Sequence, residues 1–207
     1  MAAAHPEAKP GMGLPATGAA PLPPANHHKA TAPVTLHLTT FEGEAHGISA
    51  LSDFRVQQLL PRLQIVHDKI VGISARFVHL VATEAPLSDA LKARLAALLT
   101  YGEPCHEASP AGAELFIVSP RFGTVSPWAS KASDIAHNCG LAVKRIERIT
   151  EYRVALKSAL FGKAALTQAQ REQVAALLHD RMTESVMSDR AQADPLWPAP
   201  TPPSAWR

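Results

Sequence analysis

One stretch in the middle of the chain limits its possible folds more than any other. An apolar run at residues 115–118, Leu-Phe-Ile-Val, predicts a buried strand. Ser126 followed by Pro127 predicts a helix start, because a serine oxygen accepts from the free amides and proline suits the first helical position. Gly140 predicts the helix end, since glycine readily adopts the left-handed conformation found there. With another strand expected from about Val143, this stretch predicts a strand–helix–strand unit.

The predicted helix has two different faces. Five residues at helical spacing form an apolar face that we expect to be buried: Trp128, Ala132, Ile135, Ala136 and Cys139. Five polar residues form the other, exposed face: Ser130, Lys131, Asp134, His137 and Asn138. This segregation predicts that one side packs on the protein core while the other meets solvent or a partner.

The rest of the chain alternates between predicted strands and helices. Apolar or alternating patterns predict strands at residues 35–39, 71–81 and 150–156. Helices are predicted from about residue 49, from Ser88 to about Gly102, and from Thr167 through Met182. Pro61 predicts that the first of these helices kinks or ends near Leu60, because proline removes a backbone donor. The alternation by itself favours a parallel α/β sheet.

Composition and charge exclude several classes of protein. The chain has 207 residues and a net charge of +2, which is too small to predict binding to nucleic acid or to an anionic membrane surface. No apolar run is long enough to cross a bilayer. The two cysteines, Cys105 and Cys139, are far apart and lack metal-ligand spacing. We therefore expect a cytoplasmic protein with no metal site and no cofactor of its own.

Both ends of the chain are rich in proline and small residues. Residues 1–33 bury too little apolar surface to offset their ordering entropy, so we expect a disordered leader. Residues 191–207 end in LWPAPTPPSAWR and are expected to form a proline-rich tail, because proline suits neither a helix interior nor a central strand.

Several motifs together resemble one known family. GTVSPWASKASDIAHNCGL, followed by RIER, closely resembles the N-terminal region of phosphoribosylformylglycinamidine synthase, in its large single-chain form. Four shorter matches occur in the same order as in the family: ALSDFR (50–55), FVH (77–79), LLTYG (98–102) and DRMTE (180–184). The resemblance spans roughly residues 35–184. One departure is Ile149, where many relatives have glycine.

The resemblance implies a fold other than a parallel sheet. It implies an α+β fold: a small antiparallel sheet with helices on one face, built from two fused β-α-β modules and followed by a helical linker segment. The implied domains are an N-terminal assembly domain at residues 34–158 and the start of a helical linker domain at residues 159–190.

The resemblance also implies an activity for the complete enzyme. The family converts formylglycinamide ribonucleotide to the amidine: ATP activates the amide oxygen, and ammonia from glutamine displaces the phosphate. ATP, magnesium and glutamine are thus implied for the full-length enzyme. This sequence contains no P-loop and no GxGxxG turn, and we assign it no catalytic residue. The chain is expected to be an N-terminal fragment that is inactive alone, with the ATP-binding and glutaminase domains of the same enzyme as its partners.

The candidate site lies on and around the central helix. Seven residues are predicted to face a docked domain or the substrate: Arg121, Ser126, Ser130, Lys131, Asp134, His137 and Asn138. The helix start also offers a site for an anion, because its free amides and its dipole attract negative charge. The polar residues are spread along the whole helix, which favours docking. The alternative is an independent binding module that recruits a nucleotide or a protein through the same small scaffold.

Overall fold

The computed structural model describes residues 36–42, 48–105, 113–157 and 165–197. The predicted leader, residues 1–33, and residues 198–207 of the predicted tail lie outside these ranges, so what was predicted for them stays a prediction. The described elements, in chain order, are β1 (His37–Phe41), β2 (Ile48–Ser49), α1 (Asp53–Val66), β3 (Ile70–Thr83), α2 (Asp89–Leu99), β4 (Glu114–Pro120), α3 (Pro127–Asn138), β5 (Arg145–Leu156), α4 (Gln168–Leu178), β6 (Glu184–Met187) and a 3₁₀ helix (Arg190–Leu196), here called the C-terminal strap.

The strands of the described residues form one antiparallel sheet. Its order is β1-β3-β5-β4-β6, and β2 pairs with β3 beside β1. The long strands β3 and β5 pair from Ile70 opposite Leu156 to Ala82 opposite Arg145. Two strand–helix–strand modules, β1-α1-β3 and β4-α3-β5, meet along this central pair. The α+β fold implied by the resemblance is confirmed, and the parallel sheet favoured by alternation alone is wrong.

The four α-helices lie on one face of the sheet in two groups. Helices α1 and α4 pack against the sheet through a cluster that includes Leu63 and Val174. Helices α2 and α3 pack through a second cluster that includes Leu95 and Ala136. Each of these four side chains is completely buried. Burying a leucine or valine side chain contributes about 1.5–3 kcal/mol, so these two clusters fix where the helices sit.

The opposite face of the sheet is covered by the C-terminal strap. Leu196 of the strap is completely buried in a cluster with Ile117 of β4 and Ile149 of β5. This packing was not expected, because the sequence predicts a tail from residue 191. The alternation of β4 and β5 places apolar side chains on both faces, so the second face also needs a cover.

An ionic network ties the strap to the sheet. Glu151 of β5 is buried, and its two oxygens pair with Arg76 of β3, at 3.0 Å, and with Arg190 of the strap. Both arginines also pair with Glu42, which follows β1. Burial alone would raise the pKa of Glu151, but the hydrogen bonds and positive charge of the two arginines hold that pKa below its ordinary value. The network therefore links three strands and the strap.

Local capping chemistry sets the helix starts as predicted. The hydroxyls of Ser88 and Ser126 accept hydrogen bonds from the first turns of α2 and α3, respectively. Thr167 and Gln170 form a capping box at the start of α4. Gly140 has a φ of 71° and follows α3, which is the left-handed conformation expected of a helix end.

Two predictions about helix ends are corrected by the structure. Helix α1 continues to Val66 with Pro61 inside it, so of the two predicted outcomes the end near Leu60 is wrong and the kink stays a prediction. Pro61 is exposed, and the buried residues Leu59 and Leu63 on the other side of the helix keep it packed on the sheet. Helix α4 ends at Leu178 and does not reach Met182, whose side chain is 75% exposed.

The segment predicted to begin a linker contributes directly to this sheet. After α4, the strand β6 pairs with β4, with Val186 opposite Val118. Helix α4 packs in the same cluster as α1. The sequence did not predict β6. The predicted domain boundary, residues 158 and 159, lies outside the described ranges and stays a prediction.

Candidate functional site

A cleft opens beside the start of α3, on the helix face of the sheet. Its volume is about 450 Å³. It is lined by the end of β4, the loop before α3, the first residues of α3, two residues of β5, and the turn before β6 with the first residue of that strand. The lining residues are Val118, Ser119, Pro120, Arg121, Thr124, Val125, Ser126, Pro127, Trp128, Arg148, Thr150, Met182, Thr183 and Glu184. Several elements therefore meet at the point where the sequence predicts the site.

A buried carboxylate anchors the start of α3. Ser126 Oγ accepts a hydrogen bond from the Ala129 amide at 3.0 Å and donates one to Glu147 Oε1 at 2.8 Å. Glu147 is completely buried and forms an ion pair with Arg145. Arg145 also donates to the carbonyl oxygens of Thr124 and of the strap residue Leu196, each at 2.9 Å. The helix start, the preceding loop and the strap are thus held by one network.

Arg148 is clamped between two aromatic rings. Its guanidinium lies 4.0 Å from the centre of the Phe77 ring and 4.7 Å from that of the Trp128 ring. Its Nη1 donates to the hydroxyl of Tyr101 at 3.3 Å. Stacking against aromatic faces is favourable for a guanidinium and leaves its edge free to donate hydrogen bonds. Arg148 is therefore a preorganised cation in the wall of the cleft.

His79 contacts both Tyr101 and Trp128, the side chains that hold Arg148. It is buried, its Nε2 lies 2.8 Å from the Tyr101 hydroxyl, and its ring stacks on Trp128 with the centroids 5.4 Å apart. Burial, together with the positive charge of Arg148, lowers the pKa of His79 to about 4. At neutral pH the imidazole is therefore uncharged, and Nε2 can accept a hydrogen bond from the Tyr101 hydroxyl while that hydroxyl accepts one from Arg148.

The sequence did not single out the residues of this clamp. Phe77 and His79 lie in one quoted motif and Arg148 in another, but neither motif shows that they meet. Pairing of β3 with β5 sets His79 opposite Arg148 and Phe77 opposite Thr150. The antiparallel register places these side chains on the same face of the sheet, and the sequence motifs alone do not give that register.

The seven predicted site residues occupy two places. Arg121 and Ser126 lie in the cleft. The other five lie along the outer side of α3: Ser130, Lys131, Asp134, His137 and Asn138. His137 Nε2 lies 2.7 Å from the carbonyl oxygen of Val143, so it also links α3 to the connection before β5.

The buried face of α3 differs from the predicted one. Its buried residues are Ala129, Ser133 and Ala136. Ile135 is 43% exposed and Cys139 is exposed, so their predicted burial is wrong. Trp128 is half-buried, whereas the predicted exposure of Lys131, Asp134 and Asn138 is confirmed.

A single hydrogen bond and small side chains explain this rotation of α3. Ser133 Oγ accepts from the Ile146 amide of β5 at 2.9 Å, in a buried position. Ala129 and Ala136, one helical turn before and after Ser133, are small and allow α3 to lie close to β5. A larger side chain such as Ile135 does not fit in that narrow contact and turns outward.

Ile135 lies at a second, smaller groove between α2 and α3. This groove has a volume of about 260 Å³ and a mostly apolar lining with one lysine: Leu98, Leu99, Tyr101, Trp128, Lys131, Ala132 and Ile135. We refer to this groove and the outer side of α3 together as the α3 face. It carries exposed apolar and polar side chains next to one another, as protein interfaces commonly do.

Within residues 36–42, 48–105, 113–157 and 165–197, no group of three or more His, Cys, Asp or Glu side chains is arranged to hold a metal ion. None of the helices in those ranges is long and apolar enough to cross a membrane.

The fold and the site define a small α+β domain with an anchored helix start beside a cleft. Comparison with known families identifies it further: the family described as formylglycinamide ribonucleotide amidotransferase N-terminal matches residues 76–197. This match covers more than half of the 207 residues. The chain belongs to this family and is part of an amidotransferase ligase of purine biosynthesis.

Proposed function

We propose that this chain is the N-terminal domain of the ligase that converts formylglycinamide ribonucleotide to formylglycinamidine ribonucleotide with ATP and glutamine. We further propose that it serves assembly: it docks on the ATP-binding and glutaminase domains and makes no product alone. The family match supports the first proposal. The α3 face supports the second, because it presents an exposed helix side that the described part of the chain leaves uncovered.

The α3 face has the composition of a docking surface. Ile135 and Tyr101, 43% and 37% exposed, supply apolar contact area, and half-buried Trp128 lines the same groove. Lys131 and Asp134 add one charge of each sign at the border. A partly apolar centre with a polar rim is typical of interfaces between domains, where aromatic residues contribute much of the binding energy.

The chemistry of the reaction is proposed to lie on the partner domains. ATP, magnesium and glutamine would bind there, and the enzyme would act in the cytoplasm. In this account the N-terminal domain positions its neighbours, and its residues do not touch the reacting atoms.

A direct binding measurement tests the docking proposal. The 207-residue chain is mixed with a formylglycinamide ribonucleotide amidotransferase that lacks its own N-terminal domain, and sedimentation velocity shows whether a complex forms. We expect a complex that Ile135→Asp weakens at least about tenfold, because a charge would be placed at the centre of the interface. The matched control is Ile65→Asp on α1, where the side chain is 86% exposed and lies away from the α3 face. Equal weakening by both variants, or no complex at all, would refute docking through the α3 face.

A further inference from the structure

The cleft contains two positive side chains that lack an acidic partner among the described residues. Arg148, held between its two rings, forms no ion pair there and donates only to the hydroxyl of Tyr101. Arg121 also forms no ion pair there, and its Nη1 makes one long contact, 3.4 Å, with the carbonyl oxygen of Met182. Of the other half-buried arginines in the described chain, four are paired with glutamates and Arg153 is not; the paired ones are Arg76, Arg145, Arg171 and Arg190. The cleft therefore brings together two arginines that have no acidic partner among the described residues.

The polar lining of the cleft adds hydrogen-bond donors. The hydroxyls of Thr150 and Thr183 line it and make no side-chain hydrogen bond within the described residues. One acidic residue, Glu184, also lines the cleft, but its Oε2 accepts from the Asp180 amide at 2.8 Å. The two arginines carry two positive charges and Glu184 carries one negative charge, so the lining has a net positive charge.

Size and shape indicate a small molecule. A volume of about 450 Å³ falls within the range of ordinary ligand pockets, which is about 300–1,000 Å³. Val125 and Met182, 57% and 75% exposed, give the rim an apolar side against which an organic group can pack. A carboxylate side chain from a partner would use only part of this space and of these donors.

We propose that this cleft binds a small phosphate monoester, with its phosphate held by Arg148 and Arg121 and by the hydroxyls of Thr150 and Thr183. Guanidinium edges match phosphate oxygens in geometry and charge. A phosphate monoester has three terminal oxygens, enough to accept from all four of these side chains. The four side chains that hold the phosphate lie outside the α3 face, although Trp128 lines both places, so phosphate binding can be measured without a docked partner.

His79 and Tyr101 act in this site as positioning residues. The hydrogen bond between His79 and Tyr101 fixes the phenol oxygen, which in turn accepts from Arg148 Nη1. Tyr101 binds one nitrogen of the Arg148 guanidinium, and the Phe77 and Trp128 rings cover its two faces. The remaining edge of the guanidinium is therefore held in one orientation, towards the cleft. Tyr101→Phe should therefore weaken phosphate binding, whereas a purely structural role for Tyr101 would change only the melting temperature.

Calorimetric titration of the 207-residue chain tests this proposal. Ribose 5-phosphate is the probe, and ribose is the control that lacks the phosphate. We expect ribose 5-phosphate to bind and ribose not to bind. Arg148→Gln should weaken binding about tenfold or more, as for loss of a charge-assisted hydrogen bond. The matched control is Arg62→Gln, which removes an exposed arginine of α1 that does not line the cleft.

A second variant covers the case in which Arg148→Gln does not fold. Arg121 is exposed and contributes little to packing, so Arg121→Gln should fold and still weaken ribose 5-phosphate binding several-fold. No binding of ribose 5-phosphate at millimolar concentration would overturn the proposal. So would equal binding by the wild type, Arg148→Gln and Arg121→Gln, or binding of ribose as tight as that of its phosphate.

Discussion

Glu147 and Arg148 are adjacent residues of β5 whose charged groups have different surroundings. Glu147 is buried and neutralised by Arg145, and it holds the hydroxyl of Ser126. Arg148 points to the other face of the strand, where rings and not carboxylates surround it. Alternation along one strand therefore separates a structural ion pair from a cation that is available to a ligand.

The buried His79 makes stability depend on pH. Its pKa in the folded chain is about 4, below its ordinary value of 6.5. Between these two values the unfolded chain binds a proton that the folded chain does not, so the free energy of unfolding falls as the pH falls. From pH 7 to pH 5 this residue should lower the free energy of unfolding by about 2 kcal/mol.

Urea unfolding of the wild type and His79→Gln at both pH values measures this effect. Glutamine can accept from Tyr101 but cannot take up a proton in this range. The variant should therefore lose much less stability than the wild type on acidification. Parallel losses in the two proteins would mean that His79 is protonated as easily in the folded chain as in the unfolded one.

The corrected orientation of α3 predicts different losses of stability at two neighbouring residues. Ile135→Ala should cost less than about 1 kcal/mol, because the side chain is already 43% exposed. Ala136→Leu should cost about 1–3 kcal/mol, because Ala136 is completely buried and a larger side chain overpacks the contact. Thermal melts of both variants test this order, and a larger loss for Ile135→Ala would restore the face first predicted from the sequence.

Some of these residue-level features could be predicted from the sequence and others could not. The roles of Ser126 and Gly140 follow from local backbone chemistry, and the structure confirms them. The burial of Ile135 was predicted wrongly. The rotation of α3 depends on a hydrogen bond from the Ile146 amide of β5 to the Ser133 hydroxyl of α3, which is a contact between two elements. A hydroxyl that satisfies a strand amide gives no apolar signal in the sequence.

At the scale of elements, the start of α3 is more heavily supported than an ordinary helix start. Ser126→Ala removes the cap and also the hydrogen bond to buried Glu147, so it should cost about 2–3 kcal/mol. Ser88→Ala at the start of α2 removes only an exposed cap and should cost about 1 kcal/mol. Chemical unfolding of the two variants gives the comparison, and equal costs would show that the bond to Glu147 adds nothing.

The elements predicted least well are those that depend on distant contacts. Strand β6 is only Glu184–Met187, too short for a clear alternating pattern, and it exists because β4 offers an open edge. Helix α1 passes Pro61 because Leu59 and Leu63 bury its other side. In each case tertiary packing overrides the local preference.

For the molecule as a whole, the C-terminal strap completes the core. Leu196→Ala should cost about 2–4 kcal/mol, as for other fully buried leucines, because Leu196 is completely buried between β4 and β5. The matched control is Leu38→Ala on β1, where the side chain is 45% exposed and the cost should stay below about 1 kcal/mol. If differential scanning calorimetry shows the same small shift for both, the strap does not stabilise the sheet.

The central claim is that this chain is an assembly domain of the ligase, acting through its α3 face. The most direct measurement adds the purified chain to a formylglycinamide ribonucleotide amidotransferase without its N-terminal domain and follows ATP- and glutamine-dependent amidine formation. Neither protein alone should form product, and together they should. Lys131→Ala and Ile135→Asp should lower the restored turnover while Ile65→Asp leaves it unchanged. Product formed by the chain alone, or no restored turnover by the wild-type chain, would contradict the account.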